Sequence, residues 1–383
     1  MSRRRATAIH RHRICRPETV RPRTGRGGLR GSVVAGAACA AVALALAGCG
    51  SSGSASPQGG ASSQAADWPT LNVTIPAVSV VNGVPLVAEE DGLFAKHHVK
   101  VNFVPSTGTN AASLLISNRV DIVVGTTTYA VSLAEQGQDV AVIYNTSNYG
   151  ITIAALIGVK GTTLAGLKAK GSGCRIATTT PGSALYGWTL QVEHALALNC
   201  KLSTSANLAG VTASVTNGAA DAATTLVDSA TMVVKKGEAS MLFDPLTMSA
   251  QKRDALIPVT TFPNGVTLGL RANLDTKSEA VERFLGALND ALGVVRSSTP
   301  EQLATTLSKL PDFATTGVNS MTVAWQSVQS LSPSTEQGAQ ITQQDWTNVL
   351  SGVAGWGLTS VSPSDPKLAY AKVVDMTYLD KAS

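Results

Sequence analysis

The amino-acid sequence predicts an α/β protein of two lobes, in which mostly parallel sheets are flanked by helices. From Leu71 onward, short apolar strands alternate with helical stretches, which is the rhythm of a parallel sheet covered on both faces. The rhythm restarts after a second apolar strand at 151–159. The chain has 383 residues, of which 44% are hydrophobic, and this is enough to form two cores.

The first lobe is predicted to open with a strand and to continue in regular alternation. Its strands are expected at 71–78, 99–105, 120–125 and 139–145. Its helices are expected at 83–96, 109–118 and 129–137. We therefore assign residues 69–147 to the first part of this lobe.

The second lobe is predicted to occupy residues 148–262. Its strands are expected at 151–159, 174–179, 206–210 and 221–227, and its helices at 182–199 and 211–218. Residues 263–383 are expected to return to the first lobe with a strand at 265–274 and a helix at 279–295. The rest of this segment is expected to be mostly helical, with Trp325, Trp346 and Trp356 as packing anchors rather than ligand contacts.

The first 48 residues have the composition of an export signal. They contain ten arginines and one acid, Glu18, and the apolar run at 33–47 has the length of a signal-peptide core. Without residues 1–48 the chain has 20 basic and 24 acidic side chains. The net charge of +5 of the full chain therefore gives no support to nucleic-acid binding.

The signal ends in Leu46-Ala47-Gly48-Cys49, which resembles the lipobox of bacterial lipoproteins. The resemblance implies that Cys49 carries lipid and anchors the chain to the cell membrane. Residues 49–68 are rich in Gly, Ser and Ala and are expected to form a flexible tether. An ordinary secretory signal with a chance cysteine is the alternative.

Two cysteines, Cys174 and Cys200, remain in the part expected to fold. They lie in one predicted βαβ unit, and an oxidising compartment favours a disulfide between them. Two buried free thiols are the alternative. Neither cysteine has the spacing of a metal site, and no metal or cofactor is expected.

Small hydroxyl residues are concentrated in the turns that follow the predicted strands. Parallel strands end at one edge of a sheet, where helix N-termini present N–H groups, so such turns can bind an anion without a fixed positive charge. Routine N-capping favours the same residue types and is the alternative. The candidate ligand-binding residues of the first lobe are Ser79, Asn82, Ser106, Thr107, Gly108, Thr126, Thr127 and Asn145.

The first lobe also contains an ordered set of motifs. Ala88 is followed by Gly92-Leu93-Phe94 and Lys96, then by a strand, a Gly/Ser turn, a helix and Arg119-Val120-Asp121. In this order the motifs resemble the substrate-binding proteins of ABC importers for nitrate, sulfonates, taurine and thiamine precursors, over roughly residues 71–300. The resemblance implies the periplasmic-binding-protein type 2 fold and a small solute bound between the lobes. It also implies a permease and an ATPase as partners and a monomeric, extracytoplasmic protein.

The same resemblance extends the candidate site into the second lobe. It places Thr180, Gly182 and Ser183 in a ligand turn and Asp228 at a position facing the cleft, although Asp228 could equally cap the helix that follows. The expected solute is a small anion such as a sulfonate or nitrate. A thiamine-precursor pyrimidine or an amine-bearing solute is the alternative, but Tyr149 and Tyr186 are the only aromatic candidates near these turns.

A role of Ser183 as a nucleophile would need a histidine base. After removal of the signal the histidines are His97, His98 and His194. The first two precede a strand, at the far end of the sheet, and His194 lies about 16 Å along the helix that Ser183 opens. The chain also lacks the common hydrolase and nucleotide-binding motifs. The sequence thus favours a binding protein over a pyrimidine-synthesis-type enzyme, with a sensor lipoprotein as a further alternative.

Overall fold

Two five-stranded sheets organise the chain. The computed structural model describes residues 67–106, 110–150, 154–181, 183–257, 262–314, 316–334, 337–355 and 362–382. The strands of the first sheet are β1 (Thr70–Thr74), β2 (Lys100–Phe103), β3 (Ile122–Thr126), β4 (Val140–Ser147) and β10 (Gly265–Leu270). Their spatial order is β2-β1-β3-β10-β4.

The second sheet is built from one continuous stretch of the chain. Its strands are β5 (Ala154–Val159), β6 (Arg175–Thr179), β7 (Lys201–Ser205), β8 (Ala222–Leu226) and β9 (Ala239–Phe243). Their spatial order is β7-β6-β8-β5-β9. The chain therefore passes to the second sheet between β4 and β5 and returns to the first between β9 and β10.

Both sheets are mixed in the same way. β10 pairs antiparallel with β3 and β4, and β5 pairs antiparallel with β8 and β9. The other pairs are parallel, so four strands of each sheet run in one direction. The prediction of mostly parallel sheets flanked by helices in two lobes is confirmed, and the carboxyl ends of four strands meet at one edge of each sheet.

Helices cover the sheets along the whole chain. Up to residue 256 they are α1 (Gly83–Glu90), α2 (Leu93–Lys96), α3 (Ala111–Ile116), α4 (Thr127–Glu135), α5 (Leu164–Ala169), α6 (Ala184–Ala195), α7 (Leu208–Thr216), α8 (Val227–Lys235) and α9 (Ala250–Leu256). Single 3-10 turns occur at Val80–Asn82 and Gly171–Gly173.

After β10 the described chain is helical, as the sequence predicts. The helices are α10 (Arg271–Thr276), α11 (Ser278–Ser297), α12 (Pro300–Leu307), α13 (Val318–Val328), α14 (Gln343–Gly355), α15 (Tyr370–Val373) and α16 (Thr377–Lys381). Further 3-10 turns occur at Pro311–Phe313, Gln329–Leu331 and Pro366–Leu368. None of the helices in the described part of the chain is long and apolar enough to cross a membrane.

Three predicted elements differ from the structure for local reasons. The helix expected at 83–96 is broken at Gly92, whose φ of 67° lies in the left-handed region. The prediction of a strand at 206–210 was wrong. The Asn207 side chain accepts a hydrogen bond from the Gly210 N–H and is the N-cap of α7, which begins at Leu208. The strand expected at 265–274 ends at Leu270, where α10 begins.

The C-terminal helices contact both lobes. α13 packs against α8 and α14 packs against α6, so helices that follow the return to the first sheet cover helices of the second. Trp325 on α13 and Trp346 on α14 are buried, and the Trp346 indole N–H donates to the Leu368 carbonyl at 2.7 Å. These two tryptophans serve as packing anchors, whereas Trp356 lies outside the described residues.

Candidate functional site

A cavity of about 500 Å³ lies where the carboxyl ends of the strands of both sheets face each other. The first sheet contributes the segments after β1, β2, β3 and β4, and the second contributes those after β6, β7 and β8. Ligand sites of open α/β sheets occur at this edge because helices begin there and leave N–H groups without intrahelical partners. Four of the candidate residues from the sequence line the cavity, namely Ser106, Thr126, Thr180 and Ser183.

The wall from the first lobe presents pairs of hydroxyl groups. The hydroxyl oxygens of Thr126 and Thr128 are 2.5 Å apart, and those of Thr74 and Ser106 are also 2.5 Å apart. The Thr74 hydroxyl further donates to the Val104 carbonyl at 2.7 Å, which fixes its rotamer. The paired hydroxyls are therefore held in place before any solute arrives.

Asn264 closes the inner side of this wall. Its side-chain Nδ2 donates to the Gly150 carbonyl at 2.7 Å. Its Oδ1 accepts from the N–H and the hydroxyl of Thr127, at 3.3 and 2.9 Å. Asn264 is only 2% exposed, so this amide is a rigid part of the cavity wall. Thr127, a candidate from the sequence, supports the wall through it and does not line the cavity.

The wall from the second lobe is organised in the same manner. The hydroxyl oxygens of Thr179 and Ser183 are 2.5 Å apart, and the Ser183 oxygen also accepts from the Tyr186 N–H at 3.2 Å. Ser183 is thus the N-cap of α6, as the sequence suggests. The same hydroxyl borders the cavity, so it serves as a cap and can contact a solute.

A buried hydroxyl cluster stands behind this wall. The hydroxyl of Thr189 lies 2.7 Å from that of Thr178 and 2.6 Å from that of Thr224. Thr189 also donates to the Leu185 carbonyl at 2.7 Å. All three threonines are at most 1% exposed. This network joins α6 to β6 and β8 and holds the beginning of α6 against the sheet.

Three helix N-termini reach the cavity. The first turns of α4, α6 and α7 contribute the lining residues Thr128, Ala184, Leu185, Leu208 and Ala209. None of these first turns contains an acidic side chain. A helix N-terminus carries a partial positive charge of roughly half an elementary charge. The cavity thus receives three positive helix ends that no acidic side chain of their first turns neutralises.

Aromatic and aliphatic groups form much of the remaining lining. Tyr129, Tyr149 and Trp188 border the cavity together with aliphatic residues such as Leu226. Burial raises the pKa of Tyr129 and of Tyr149 far above the ordinary value, so both phenols are neutral at physiological pH. Of the two tyrosines singled out in the sequence, Tyr149 borders the cavity, whereas Tyr186 is not among its lining residues.

The formal charge around the cavity is carried by one residue. Asp312, in the 3-10 turn after α12, is the only Asp, Glu, Lys, Arg or His among the described residues that line the cavity. No lysine, arginine or histidine occurs among the described residues that line the cavity. Favourable polar interactions with a solute anion therefore have to come from hydroxyl, amide and backbone N–H groups.

Asp228 and Ser79 lie away from the lining of the cavity and contact each other. The carboxylate of Asp228 accepts from the Val80 N–H at 3.4 Å and from the Ser229 N–H at 2.7 Å, and it hydrogen-bonds the Ser79 hydroxyl. Burial raises the pKa of Asp228 above the ordinary range, and these hydrogen bonds oppose the shift. The carboxylate occupies the first turn of α8 and connects it to the turn after β1.

The other first-lobe candidates have structural partners. The Asn82 amide nitrogen donates to the Ala77 carbonyl at 2.7 Å. The Asn145 amide nitrogen donates to the Asn148 side chain at 2.8 Å, and its oxygen accepts from the Ser147 N–H at 3.1 Å. Both asparagines are buried and absent from the described lining. Thr107, Gly108, Gly182 and the lipidation candidate Cys49 lie outside the described residues.

Sequence reasoning passed over several residues that line the cavity. Thr128 and Thr179 belong to turns that it did identify, and Asn207 directly follows the end of β7, where a polar cap can be recognised. Tyr129 and Trp188 lie within α4 and α6, where nothing in the local sequence distinguishes a ligand contact from a core residue. Asn264 and Asp312 come from segments far along the chain, and only the fold brings them to the cavity.

Cys174 and Cys200 are joined by a disulfide, with their Cα atoms 4.7 Å apart. The two cysteines directly precede the parallel strands β6 and β7, whose first residues, Arg175 and Lys201, are paired in register. The bond therefore ties the two strands together at the edge opposite the cavity. Within the described chain, no group of three or more His, Cys, Asp or Glu side chains is arranged to hold a metal ion.

Comparisons with known proteins agree with this architecture. No protein-family model matches the chain, and no curated protein sequence matches it significantly. Solved structures do match it. The periplasmic nitrate-binding protein of Synechocystis PCC 6803 is 16% identical with a TM-score of 0.61, covering 82% of this chain and 88% of that one.

Two further structures give a similar result. The alkanesulfonate-binding protein of Xanthomonas axonopodis pv. citri, bound to MOPS, is 15% identical with a TM-score of 0.58, over 80% of this chain and 98% of that one. The ligand-binding component of an ABC-type import system from Staphylococcus aureus, with zinc bound, is 13% identical with a TM-score of 0.63. The match covers 82% of this chain and 99% of that one. At these identities the comparisons show the fold, which is the two-lobed periplasmic-binding-protein type 2 fold.

Proposed function

We propose that the chain is an extracytoplasmic solute-binding protein that captures a small organic anion between its lobes and delivers it to an ABC transporter. The observation that carries the proposal is the convergence of three helix N-termini, those of α4, α6 and α7, on one interlobe cavity. Such helix ends bind anionic groups through free N–H donors and the helix dipole. The paired hydroxyls on both walls add further donors.

The lining supports an organic anion over a bare inorganic one. A four-atom ion such as nitrate would leave most of a cavity of about 500 Å³ unfilled. Tyr149, Trp188 and Leu226 offer apolar surface that a hydrocarbon or ring portion of a solute can cover. A sulfonate or carboxylate with a carbon skeleton satisfies both the positive helix ends and the apolar walls.

A neutral aromatic heterocycle, such as a thiamine-precursor pyrimidine, is the second candidate. It is favoured by the aromatic side chains of Tyr129, Tyr149 and Trp188, which can stack on a ring. The Asn264 amide and the nearby hydroxyls could then pair with ring nitrogens and exocyclic groups. This candidate does not use the unneutralised helix ends, and we rank it below the organic anion.

The remaining parts of the proposal concern placement and partners. The signal and lipobox at residues 1–49 support attachment to the outer side of the cell membrane through Cys49. The fold supports delivery to a permease and ATPase pair, because two lobes that close on a solute present a different surface when loaded. The ligand-binding component of an ABC-type import system among the similar structures favours this over a sensor that feeds no transporter.

A thermal-shift screen tests the solute class. The chain without its signal is heated with alkyl and aryl sulfonates, matched carboxylates, nitrate, taurine and pyrimidines. A ligand that binds only the folded state raises Tm progressively with its concentration. We expect organic sulfonates or carboxylates to give the shift. A shift by pyrimidines alone would favour the second candidate, and no shift in the whole panel would contradict the proposal.

Calorimetric titration of a solute found in this way then tests the site. Thr180→Ala and Ser183→Ala should weaken its binding at least severalfold, because each removes a hydroxyl that borders the cavity. Ser249→Ala is the matched control, since Ser249 is an exposed N-cap of α9 outside the cavity. If both cavity variants bound the solute as the wild type does, the placement of the site would be wrong.

A further inference from the structure

Asp312 borders the cavity, but it does not lie in one of the turns that follow the strands of the two sheets. It lies in the 3-10 turn Pro311–Phe313, whose Phe313 is buried in the core of the first lobe. Asp312 itself is exposed, so its carboxylate stands at the opening of the cavity rather than in its interior. The buried neighbour fixes the position of the turn and keeps this charge at the opening.

Among the residues that the structure describes, none forms an ion pair with the carboxylate of Asp312. No side-chain hydrogen bond joins Asp312 to any residue of the described chain either. The lining contains no lysine, arginine or histidine among the residues that the structure describes. The inner cavity therefore has a positive potential from helix ends, and its opening has a negative potential from one carboxylate.

We infer that Asp312 is a specificity-determining residue that selects solutes by the charge of the end facing the opening. This inference rests on the proposed binding of an anionic group in the cavity. With that group held at the helix N-termini, a solute whose outer end is cationic gains an attraction to Asp312. A solute whose outer end carries a second negative charge is repelled by Asp312. A solute with a neutral outer end has an affinity between those of the other two.

The size of the effect follows from the exposure of Asp312. Contacts between exposed charges change affinity by about 1.4- to fivefold, because water screens them. The preference is therefore modest for each step and decreases as the salt concentration rises. A buried carboxylate would give a much larger and nearly salt-independent preference, so the salt dependence is itself a signature of a charge at the opening.

The test is a series of solutes that differ only in the outer group. Butane-1-sulfonate, 3-aminopropane-1-sulfonate and 4-sulfobutanoate present a methyl, an ammonium and a carboxylate group on the same chain, and the next longer homologues extend the reach. Titration calorimetry at low and high salt measures each affinity. We expect the ammonium member to bind most tightly and the carboxylate member most weakly, with about 1.4- to fivefold between successive members at low salt.

Asp312→Asn should remove the order within the series while leaving the binding of the methyl member nearly unchanged. Asp91→Asn is the matched control, because Asp91 is an exposed carboxylate outside the cavity, and it should keep the order of the wild type. An order that survives in Asp312→Asn, or equal affinities of all members for the wild type at every length, overturns the inference alone. Failure of every sulfonate to bind overturns the proposed organic-sulfonate site together with it.

Discussion

The carboxylate of Asp228 accepts a hydrogen bond from the backbone N–H of Val80 across 148 positions of sequence. Asp228 is the second residue after the end of β8 in the second sheet. Val80 lies in the turn after β1 of the first sheet. The contact is buried, since Asp228 is 5% and Val80 2% exposed. One carboxylate therefore connects an element of the second lobe to one of the first and does not form part of the cavity lining.

This burial predicts a pH dependence. Because the pKa of Asp228 is raised in the folded state, the folded chain binds a proton more readily than the unfolded chain does at this position. The contribution to stability is thus complete below the unfolded pKa of about 3.9 and is lost as the pH rises towards the folded pKa. The free energy of unfolding of wild type minus that of Asp228→Asn should fall across this interval.

Urea unfolding of both proteins at a series of pH values measures this difference. The comparison with Asp228→Asn is needed because Asp221 and Asp290 have lowered pKa values, through Lys170 and Lys96 respectively, and act in the opposite direction. Their effects cancel in the difference. If the difference in the free energy of unfolding stayed constant or rose with pH, the pKa of Asp228 would not be raised by burial in the folded state.

Ser183 is predicted to contribute to stability and binding separately. Ser183→Ala removes the N-cap of α6 and should lower the free energy of unfolding by about 1 kcal/mol. Ser249→Ala removes an N-cap of α9 and should cost a similar amount without affecting the affinity for solute. Chemical unfolding and calorimetry on the same two variants separate the effects. Equal solute affinities in both would refute the second role of Ser183.

A close approach between Gly83 and Trp325 predicts a strong effect of one methyl group. A Cβ on Gly83 would stand 2.4 and 2.6 Å from ring carbons of Trp325, which is itself buried. Gly83→Ala should therefore lower the free energy of unfolding by about 1–3 kcal/mol, since the indole must shift in a packed core.

The matched control is Gly293→Ala in the middle of α11. Nothing lies within 4 Å of a Cβ built on Gly293, so the substitution should stabilise the protein by about 0.5–1 kcal/mol through helix propensity. Thermal unfolding of the two variants should shift Tm in opposite directions. A neutral result for Gly83→Ala would show that α1 and α13 are less tightly packed than described.

The disulfide is predicted to stabilise the second lobe. It closes a loop with a sequence separation of 26, for which the chain-entropy model gives about 3.5 kcal/mol. The double variant Cys174→Ala, Cys200→Ala should unfold at lower denaturant concentration than the oxidised wild type. Adding a reductant should lower the wild-type midpoint towards that of the variant and leave the variant unchanged. A wild-type midpoint insensitive to reductant would contradict this prediction.

Membrane attachment depends on Cys49 in the proposed function. Cys49→Ala removes the thiol that would carry the lipid, and the protein should then leave the membrane fraction of expressing cells. Cys15→Ala, which changes a cysteine upstream of the apolar run, is the control and should not alter attachment. Immunoblots of the separated fractions give the answer, and retention of the Cys49 variant in the membrane would exclude this anchor.

Much of the fold follows from local sequence patterns. Buried strands such as β3 and β4 begin with apolar runs, so they could be recognised and placed within a few residues. β7 could not be recognised, because its sequence KLSTS is polar and half exposed at a sheet edge. The antiparallel direction of β10 also has no local signature, since pairing is decided by distant strands.

The residues of the candidate site could be predicted only in part from the sequence, for the same reason. Thr126, Thr180 and Ser183 follow strand ends directly, so the general rule for α/β sheets finds them. Asp228 obeys the same rule, yet the structure shows its carboxylate turned to Ser79 and Val80. Asp312 and Asn264 obey no local rule. Sequence reasoning finds the edge where a ligand can lie, and tertiary packing decides which side chains of that edge reach it.

The position of β10 has a consequence for the order in which the chain folds as it emerges from its N-terminal end onward. All strands of the second sheet lie between residues 154 and 243, whereas the first sheet needs β10 from residues 265–270 to fill the gap between β3 and β4. The second lobe can complete its sheet while the facing edges of β3 and β4 are still unpaired. Until residue 270 has emerged, these edges are open to wrong pairing. The lobe that begins first is therefore the one that finishes last, and residues 122–147 are the segment most exposed to wrong pairing in the meantime.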